Sequence, residues 1–126
     1  MSSSGSTNVP KVLLIKNGEH TIEYGEDCNV VIINIPISII GESREHCIVM
    51  GGLDMDGKKE DDVNVSNLTL RGSKNYGVCG CGASIHLDNV SVENSGGIGV
   101  AVYGTKRNSM KNCNVSHSKM SGLYGT

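Results

Sequence analysis

The chain contains an internal repeat, and this repeat restricts the possible folds more than any other feature. Residues 63–84 align with residues 85–108 and again with residues 109–126, at a spacing of 22 and then 23 residues. The alignment superposes three asparagines, Asn67, Asn89 and Asn112, and three glycines, Gly77, Gly99 and Gly122. It also produces four apolar columns, which are Val65/Leu87/Met110, Leu68/Val90/Cys113, Leu70/Val92/Val115 and Val78/Val100/Leu123. Stacked repeats that share one core need columns of this kind.

The spacing and composition of the repeat favour a coil of short strands. Repeats of this length occur chiefly in leucine-rich repeats and in parallel β-helices, and leucine is too sparse here for the first. Each repeat instead has β-branched runs separated by Gly, Asn and Ser, without a helical periodicity. We therefore predict three short strands per repeat.

A break in the alternation of faces predicts a corner in each coil. Val65 and Leu68 both belong to apolar columns although they are three residues apart, so the chain must turn at Ser66-Asn67 and at the equivalent positions. Asparagine tolerates the left-handed conformation of such a corner. Stacking at about 4.8 Å would bring Asn67, Asn89 and Asn112 within hydrogen-bonding distance. Either an asparagine ladder or three ordinary turn residues would explain this column.

These features resemble the right-handed parallel β-helix of the pectin-lyase-like superfamily. The resemblance rests on the corner asparagines, on the Gly-Val or Gly-Leu strand starts and on the run Pro36 to Glu42. It implies an all-β solenoid of about four to five coils, with an N-terminal cap within Val12 to Gly41. We expect residues 1–10 to form a flexible tail and residues 11–126 a single domain. The superfamily contains both enzymes and non-enzymatic repeat domains, so the resemblance predicts the fold better than the function.

Composition argues against several classes of partner. The net charge is −2 and no basic stripe is present, so we do not expect nucleic acid binding. No apolar run is long enough to cross a bilayer. The five cysteines lack the spacing of a disulfide framework, and the polar N-terminus lacks the features of a signal peptide. We expect free thiols and a cytoplasmic or particle-associated protein.

One face of the predicted coil is a candidate contact surface. The sheet that begins at each repeated glycine should direct five side chains outward, which are Cys79, Cys81, Ala101, Tyr103 and Tyr124. This strip is poor in charge, as a protein interface would be. We predict a structural or interaction module that self-associates side by side, with a homotrimer favoured. The alternative is a carbohydrate-binding or polysaccharide-degrading β-helix in which the tyrosines contact sugar rings.

The sequence predicts no catalytic residues and no obligatory cofactor. The outward strip lacks the paired carboxylates of glycoside hydrolases and the base with a cation that β-elimination needs. The histidines fall on different faces, with His86 in the column of Asn64 and Ser109. Asp54 and Asp56 resemble the start of a calcium loop, although Lys58 and Lys59 replace further ligands. A solvated acidic loop is the alternative interpretation of that segment.

Overall fold

The described part of the chain contains thirteen short strands that wind into about five coils. The computed structural model describes residues 11–22, 28–58, 61–104 and 107–125, and in these ranges it has no helix. The predicted N-terminal tail, residues 1–10, lies outside the described residues. The strands are β1 (Val12–Ile15), β2 (Gly18–Thr21), β3 (Val30–Ile33), β4 (Ile37–Gly41), β5 (Cys47–Met50), β6 (Gly52–Asp56), β7 (Asp62–Arg71), β8 (Val78–Cys81), β9 (Ser84–Glu93), β10 (Val100–Tyr103), β11 (Ser109–Lys111), β12 (Asn114–Ser116) and β13 (Leu123–Gly125).

The strands pair in parallel with their counterparts in the neighbouring coils. Sheet A contains eight strands, in which β7 pairs with β4 and β5 on one side and with β9 on the other, and β9 pairs with β11 and β12. Sheet B contains five strands in the order β13-β10-β8-β6-β3. The register of Val63 with Ile85 and of Val78 with Val100 is the register of the sequence repeat. The predicted parallel β-helix is therefore confirmed.

The segment expected to contain a cap forms a coil of its own. Strands β1, β2 and β3 pair in parallel with β4, β5 and β6, respectively. Strands β1, β2 and β3 thus have the same three-strand arrangement as the later coils, because their backbone groups are used in the same ladders. The first coil is part of the solenoid rather than a separate element before it.

The apolar columns of the repeat form the core. Val65, Leu87, Val90 and Val92 are each at most 1% exposed, and Val78 and Val100 are also buried, at 0% and 3%. Burial of one such side chain contributes about 1.5–3 kcal/mol. Each coil therefore depends on its neighbours for burial, and the last one is less enclosed: Leu123 is 61% exposed.

The asparagine corners have the predicted left-handed backbone. The φ angles are 58° at Asn67, 58° at Asn89 and 54° at Asn112. The Asn89 Nδ2 donates a hydrogen bond to Asn67 Oδ1 at 3.1 Å, and the Asn112 carbonyl oxygen accepts one from the Arg44 guanidinium at 3.0 Å. The turn-forming role is thus visible at all three corners. A ladder that continues to Asn112 remains a prediction.

None of the five cysteines takes part in a disulfide. The described part of the chain has no helix that could span a membrane.

Candidate functional site

The outward side of sheet B joins two groups of residues that the sequence suggested separately. Asp54, Cys79, Ala101 and Tyr124 are register partners on successive strands. Asp56 is the partner of Cys81, and Cys81 is in turn the partner of Tyr103. We call the outward side chains of β3, β6, β8, β10 and β13, together with Tyr76 from the turn before β8, the outer B face. It contains all five predicted surface residues and both predicted calcium ligands.

The acidic segment begins in a strand, so the interpretation of the whole segment as a loop is wrong. Gly52–Asp56 forms β6, and its alternate residues Leu53 and Met55 are buried in the core. Asp54 and Asp56 therefore project from the same side of the sheet. The aligned repeats begin only at residue 63, which is why the sequence columns did not include these two carboxylates.

Asp54 is held in an unusual environment for a carboxylate. Its Oδ1 is buried and has no hydrogen-bond partner among the described residues. Burial raises the pKa of Asp54, and the negative charge of nearby Asp56 raises it further. A buried acceptor without a donor is unfavourable by roughly 1–3 kcal/mol. Asp54 is thus available to accept a hydrogen bond from a bound molecule.

Three tyrosines form an aromatic cluster on the same face. The ring centroids of Tyr103 and Tyr124 are 5.7 Å apart, and those of Tyr76 and Tyr103 are 6.4 Å apart. The Tyr103 hydroxyl donates a hydrogen bond to the Tyr76 hydroxyl at 3.3 Å. This bond, with some desolvation, raises the pKa of Tyr103 to about 12. Tyr103 therefore keeps its proton at neutral pH, and the cluster presents ring surface together with hydroxyl groups.

Two of the predicted surface residues are not accessible. Ala101 is 0% exposed and Cys79 is 9% exposed, although both point outward from sheet B. Both side chains are small. Cys79 lines the same depression as Tyr76, and Ala101 is the register partner of Tyr124. The prediction that Ala101 and Cys79 provide contact area is therefore wrong, whereas Tyr124 is 44% exposed and Cys81 is also exposed.

The thiol of Cys79 is poorly suited to nucleophilic chemistry. Burial, with the negative charge of Asp54, raises the pKa of Cys79 to about 11, so this thiol stays protonated. The described residues contain no group of three or more His, Cys, Asp or Glu side chains arranged to hold a metal ion. A calcium ion at Asp54 and Asp56 would need further ligands, and that site remains a prediction without support.

A shallow depression adjoins Asp54. Its volume is about 330 Å³, and Tyr76, Cys79, Asn75 and Ile32 contribute to its lining. Ile32, on β3, is 64% exposed. The outer B face therefore combines a recessed acceptor with exposed aromatic and aliphatic surface.

Comparison with known families agrees with this architecture. The family model described as the right handed beta helix region matches residues 51–126. The chain belongs to the right-handed β-helix family. No curated protein and no solved structure gives a significant match. The family establishes the fold of the chain, and its function must be inferred from the residues on its surfaces.

Proposed function

We propose that this β-helix is a binding module for a neutral, hydroxyl-rich polysaccharide, which it contacts through the outer B face. The observation that carries the proposal is the buried Oδ1 of Asp54, which has no donor among the described residues and lies beside the tyrosine cluster. Sugar hydroxyls are hydrogen-bond donors, and sugar rings have apolar faces that pack on aromatic side chains. A few fixed polar groups within aromatic surface are typical of ligand sites.

The charge of the face favours neutral polymers over polyuronates. Asp54 and Asp56 lie two residues apart on the same side of β6, and Asp56 is exposed. A carboxylated sugar placed against this pair would be repelled at short distance. The hydroxyls of a glucan, mannan or xylan would instead donate to the carboxylates.

The regular spacing of the strands in sheet B favours an extended chain as the ligand. The acidic pair and the tyrosines are presented by adjacent strands β6, β8, β10 and β13, which are spaced at about 4.8 Å. A linear polysaccharide lying across these strands could contact the acceptor and the rings together. Such a ligand would also cover Ile32, at the far edge of the face.

The proposal can be tested by isothermal titration calorimetry against a panel of soluble polysaccharides. We expect binding to at least one neutral glucan, mannan or xylan and no binding to polygalacturonate. Tyr124→Ala and Asp54→Ala should each weaken binding about tenfold or more, which corresponds to the loss of one good contact of about 1.4 kcal/mol. Asp88→Ala, which removes an exposed carboxylate from sheet A, is the matched control and should leave affinity unchanged. Failure to bind any neutral polymer, or equal affinity in all variants, would contradict the proposal.

Self-association is the second candidate function, and the apolar exposure of the outer B face favours it. Ile32 and Tyr124 are 64% and 44% exposed on the two outermost strands of sheet B. Two copies that paired these faces would bury apolar surface that is now in water. Light scattering on the wild type and on the Tyr103→Glu, Tyr124→Glu double variant measures this directly. A defined oligomer, with a trimer favoured, should dissociate in the variant, and a wild-type monomer at high concentration would exclude it.

Polysaccharide degradation at the same face would require Asp54 to act as an acid. The raised pKa of Asp54 increases the fraction that carries a proton. Incubation with the bound polymer would then release reducing ends, and Asp54→Ala or Asp56→Ala would abolish that release. Binding without reducing ends identifies the face as a binding surface.

A further inference from the structure

A second cluster of polar residues lies on sheet A, away from the outer B face. Asn64, His86 and Ser109 are register partners on β7, β9 and β11, as the repeat alignment had indicated. The alternate residues Val63, Val65, Ile85 and Leu87 are buried, so the three polar side chains are on the outward side of the sheet. The sequence columns placed His86 beside Ser109, but they gave no indication of a third, diagonal partner.

The imidazole of His86 connects a serine to a carboxylate. Its Nδ1 is 2.9 Å from Ser109 Oγ, and its Nε2 is 2.9 Å from Asp62 Oδ1. The other oxygen of Asp62 is 3.5 Å from the Arg107 guanidinium. With the proton on Nε2, the imidazole donates to Asp62, and its Nδ1 lone pair can accept the hydroxyl proton of Ser109.

This arrangement has the order of groups that activates a serine nucleophile. A hydroxyl becomes nucleophilic when a base lies within hydrogen-bonding distance and a third group orients that base. Such a triad is recognised by geometry and roles rather than by the order of residues in the chain. Here Asp62, His86 and Ser109 come from three successive coils, and the parallel register fixes their relative positions.

We propose that Ser109, His86 and Asp62 form an acyl-transfer site that hydrolyses small carboxylic esters. Ser109 Oγ attacks the ester carbonyl carbon while its proton passes to His86 Nδ1. The tetrahedral intermediate collapses, the C–O bond to the alcohol breaks, and His86 returns the proton to the leaving alcohol. Water then attacks the acyl-serine, again with its proton taken by His86, and the carboxylic acid leaves as Ser109 regains its proton. Asp62 acts as a positioning residue, which holds the tautomer and stabilises the imidazolium.

The surroundings of the cluster allow a small acyl group to approach. A depression of about 330 Å³ is lined by Asn64, His86, Ser109 and Lys111, among other residues. Lys111 lies two residues after Ser109 on the same strand and therefore on the same side of the sheet. Its ammonium group is a cation available to the oxyanion of the intermediate. The side chains of His86 and Asp62 are 29% and 38% exposed, so the site is open to water, and we expect slow turnover of an accessible ester.

The experiment uses a fluorophosphonate probe on the full chain, with intact mass spectrometry and peptide mapping as readouts. Attack by Ser109 Oγ displaces fluoride and leaves one phosphonyl group on the serine. We expect one adduct per chain, located at Ser109 and absent in Ser109→Ala. Ser38→Ala, which removes a serine from the outward side of β4, outside this depression, is the matched control and should be labelled like the wild type. His86→Ala should slow labelling roughly a hundredfold, the usual contribution of a general base.

The outcomes separate catalysis from a purely structural hydrogen-bond network. A structural network predicts that Ser109→Ala lowers the melting temperature while the folded wild type is not labelled. Absence of an adduct on folded wild type, checked by circular dichroism, would overturn the proposal, as would equal labelling rates in wild type and His86→Ala. Hydrolysis of p-nitrophenyl acetate should follow the same order of variants. Polysaccharide binding at the outer B face is independent of this result.

Discussion

At the residue scale, Asp54 is unfavourable for folding, and the proposed binding function depends on it. Three neighbouring residues on β6 support the β-helix. Leu53 and Met55 fill the core, and Gly52 lies within the sheet. A carboxylate with one buried, unpartnered oxygen does not contribute to stability. Local violations of this kind are expected at functional sites rather than in structural elements.

The unfavourable burial of Asp54 should be visible in the pH dependence of the free energy of unfolding. Burial raises the pKa of Asp54 above its ordinary value of 3.8, so the native state keeps a proton that the unfolded chain loses as pH rises. The free energy of unfolding therefore falls as pH increases through the interval between the two pKa values and stays lower above it. We expect Asp54→Asn to remove this fall and to raise the free energy of unfolding at pH 7 by up to about 1 kcal/mol. Urea denaturation at several pH values measures the free energy of unfolding of both proteins.

The control for this experiment is a carboxylate on the other sheet. Asp88→Asn leaves the environment of Asp54 unchanged. The free energy of unfolding of that variant should therefore still fall as pH increases. If Asp54→Asn and the wild type show the same pH dependence, Asp54 is not strained by burial. The acceptor that carries the binding proposal would then already be hydrated.

The corner asparagines allow the two interpretations of their column to be separated. Asn89 has a φ of 58° and bonds to Asn67. Asn89→Gly keeps the left-handed backbone and removes only the side-chain bond, whereas Asn89→Ala loses both. We expect Asn89→Ala to lower the free energy of unfolding by about 1–3 kcal/mol, because the backbone is strained and the side-chain bond is lost. Urea denaturation measures this change. If Asn89→Gly lowers the free energy of unfolding by about 1 kcal/mol, the result supports the ladder. If the change is negligible, Asn89 acts only as a turn residue.

At the scale of the strands, the repeated glycines let neighbouring sides of the coil pack closely. A Cβ atom at Gly77 would collide with Val92 Cγ1 and would lie 2.7 Å from the Gly99 carbonyl oxygen. The equivalent Gly122 differs, because a Cβ there would have its nearest neighbour, Val115 Cγ1, at 3.8 Å. The start of β8 therefore requires glycine for space, while the start of β13 does not.

This difference gives a prediction with an internal control. We expect Gly77→Ala to lower the free energy of unfolding by about 1–3 kcal/mol or more, since both the valine and the strand must shift. Gly122→Ala should change it by less than about 0.5 kcal/mol. The two variants can be compared by urea denaturation. Equal changes in the free energy of unfolding in the two variants would show that close packing does not explain the glycine at position 77.

At the scale of the whole molecule, the sequence was sufficient for the solenoid but not for its surfaces. The columns of Val65, Leu68 and Val78 predicted the coil because a shared core demands repetition. Asp54 could not be placed, because its coil lies outside the aligned repeats and carries a different spacing. Asp62 and His86 were missed for another reason: they belong to different columns, and only the side-chain geometry shows the diagonal contact.

Two surfaces with different chemistry are thus carried by one small core. The outer B face has an acceptor and aromatic rings, and sheet A has a serine, a histidine and a carboxylate in contact. Because stacked coils fix the strands at a regular spacing, each surface is a rigid array of side chains. Substitutions on one surface should therefore leave the other unaffected.

Amide chemical-shift mapping would show whether the outer B face contacts a neutral polysaccharide. The ¹⁵N-labelled protein would be titrated with an oligosaccharide of the polymer selected by calorimetry. We predict that the perturbed amides cluster on β6, β8, β10 and β13, with the largest changes near Asp54 and Tyr124. Perturbations confined to sheet A, or none at saturating oligosaccharide, would show that the outer B face does not bind the polymer.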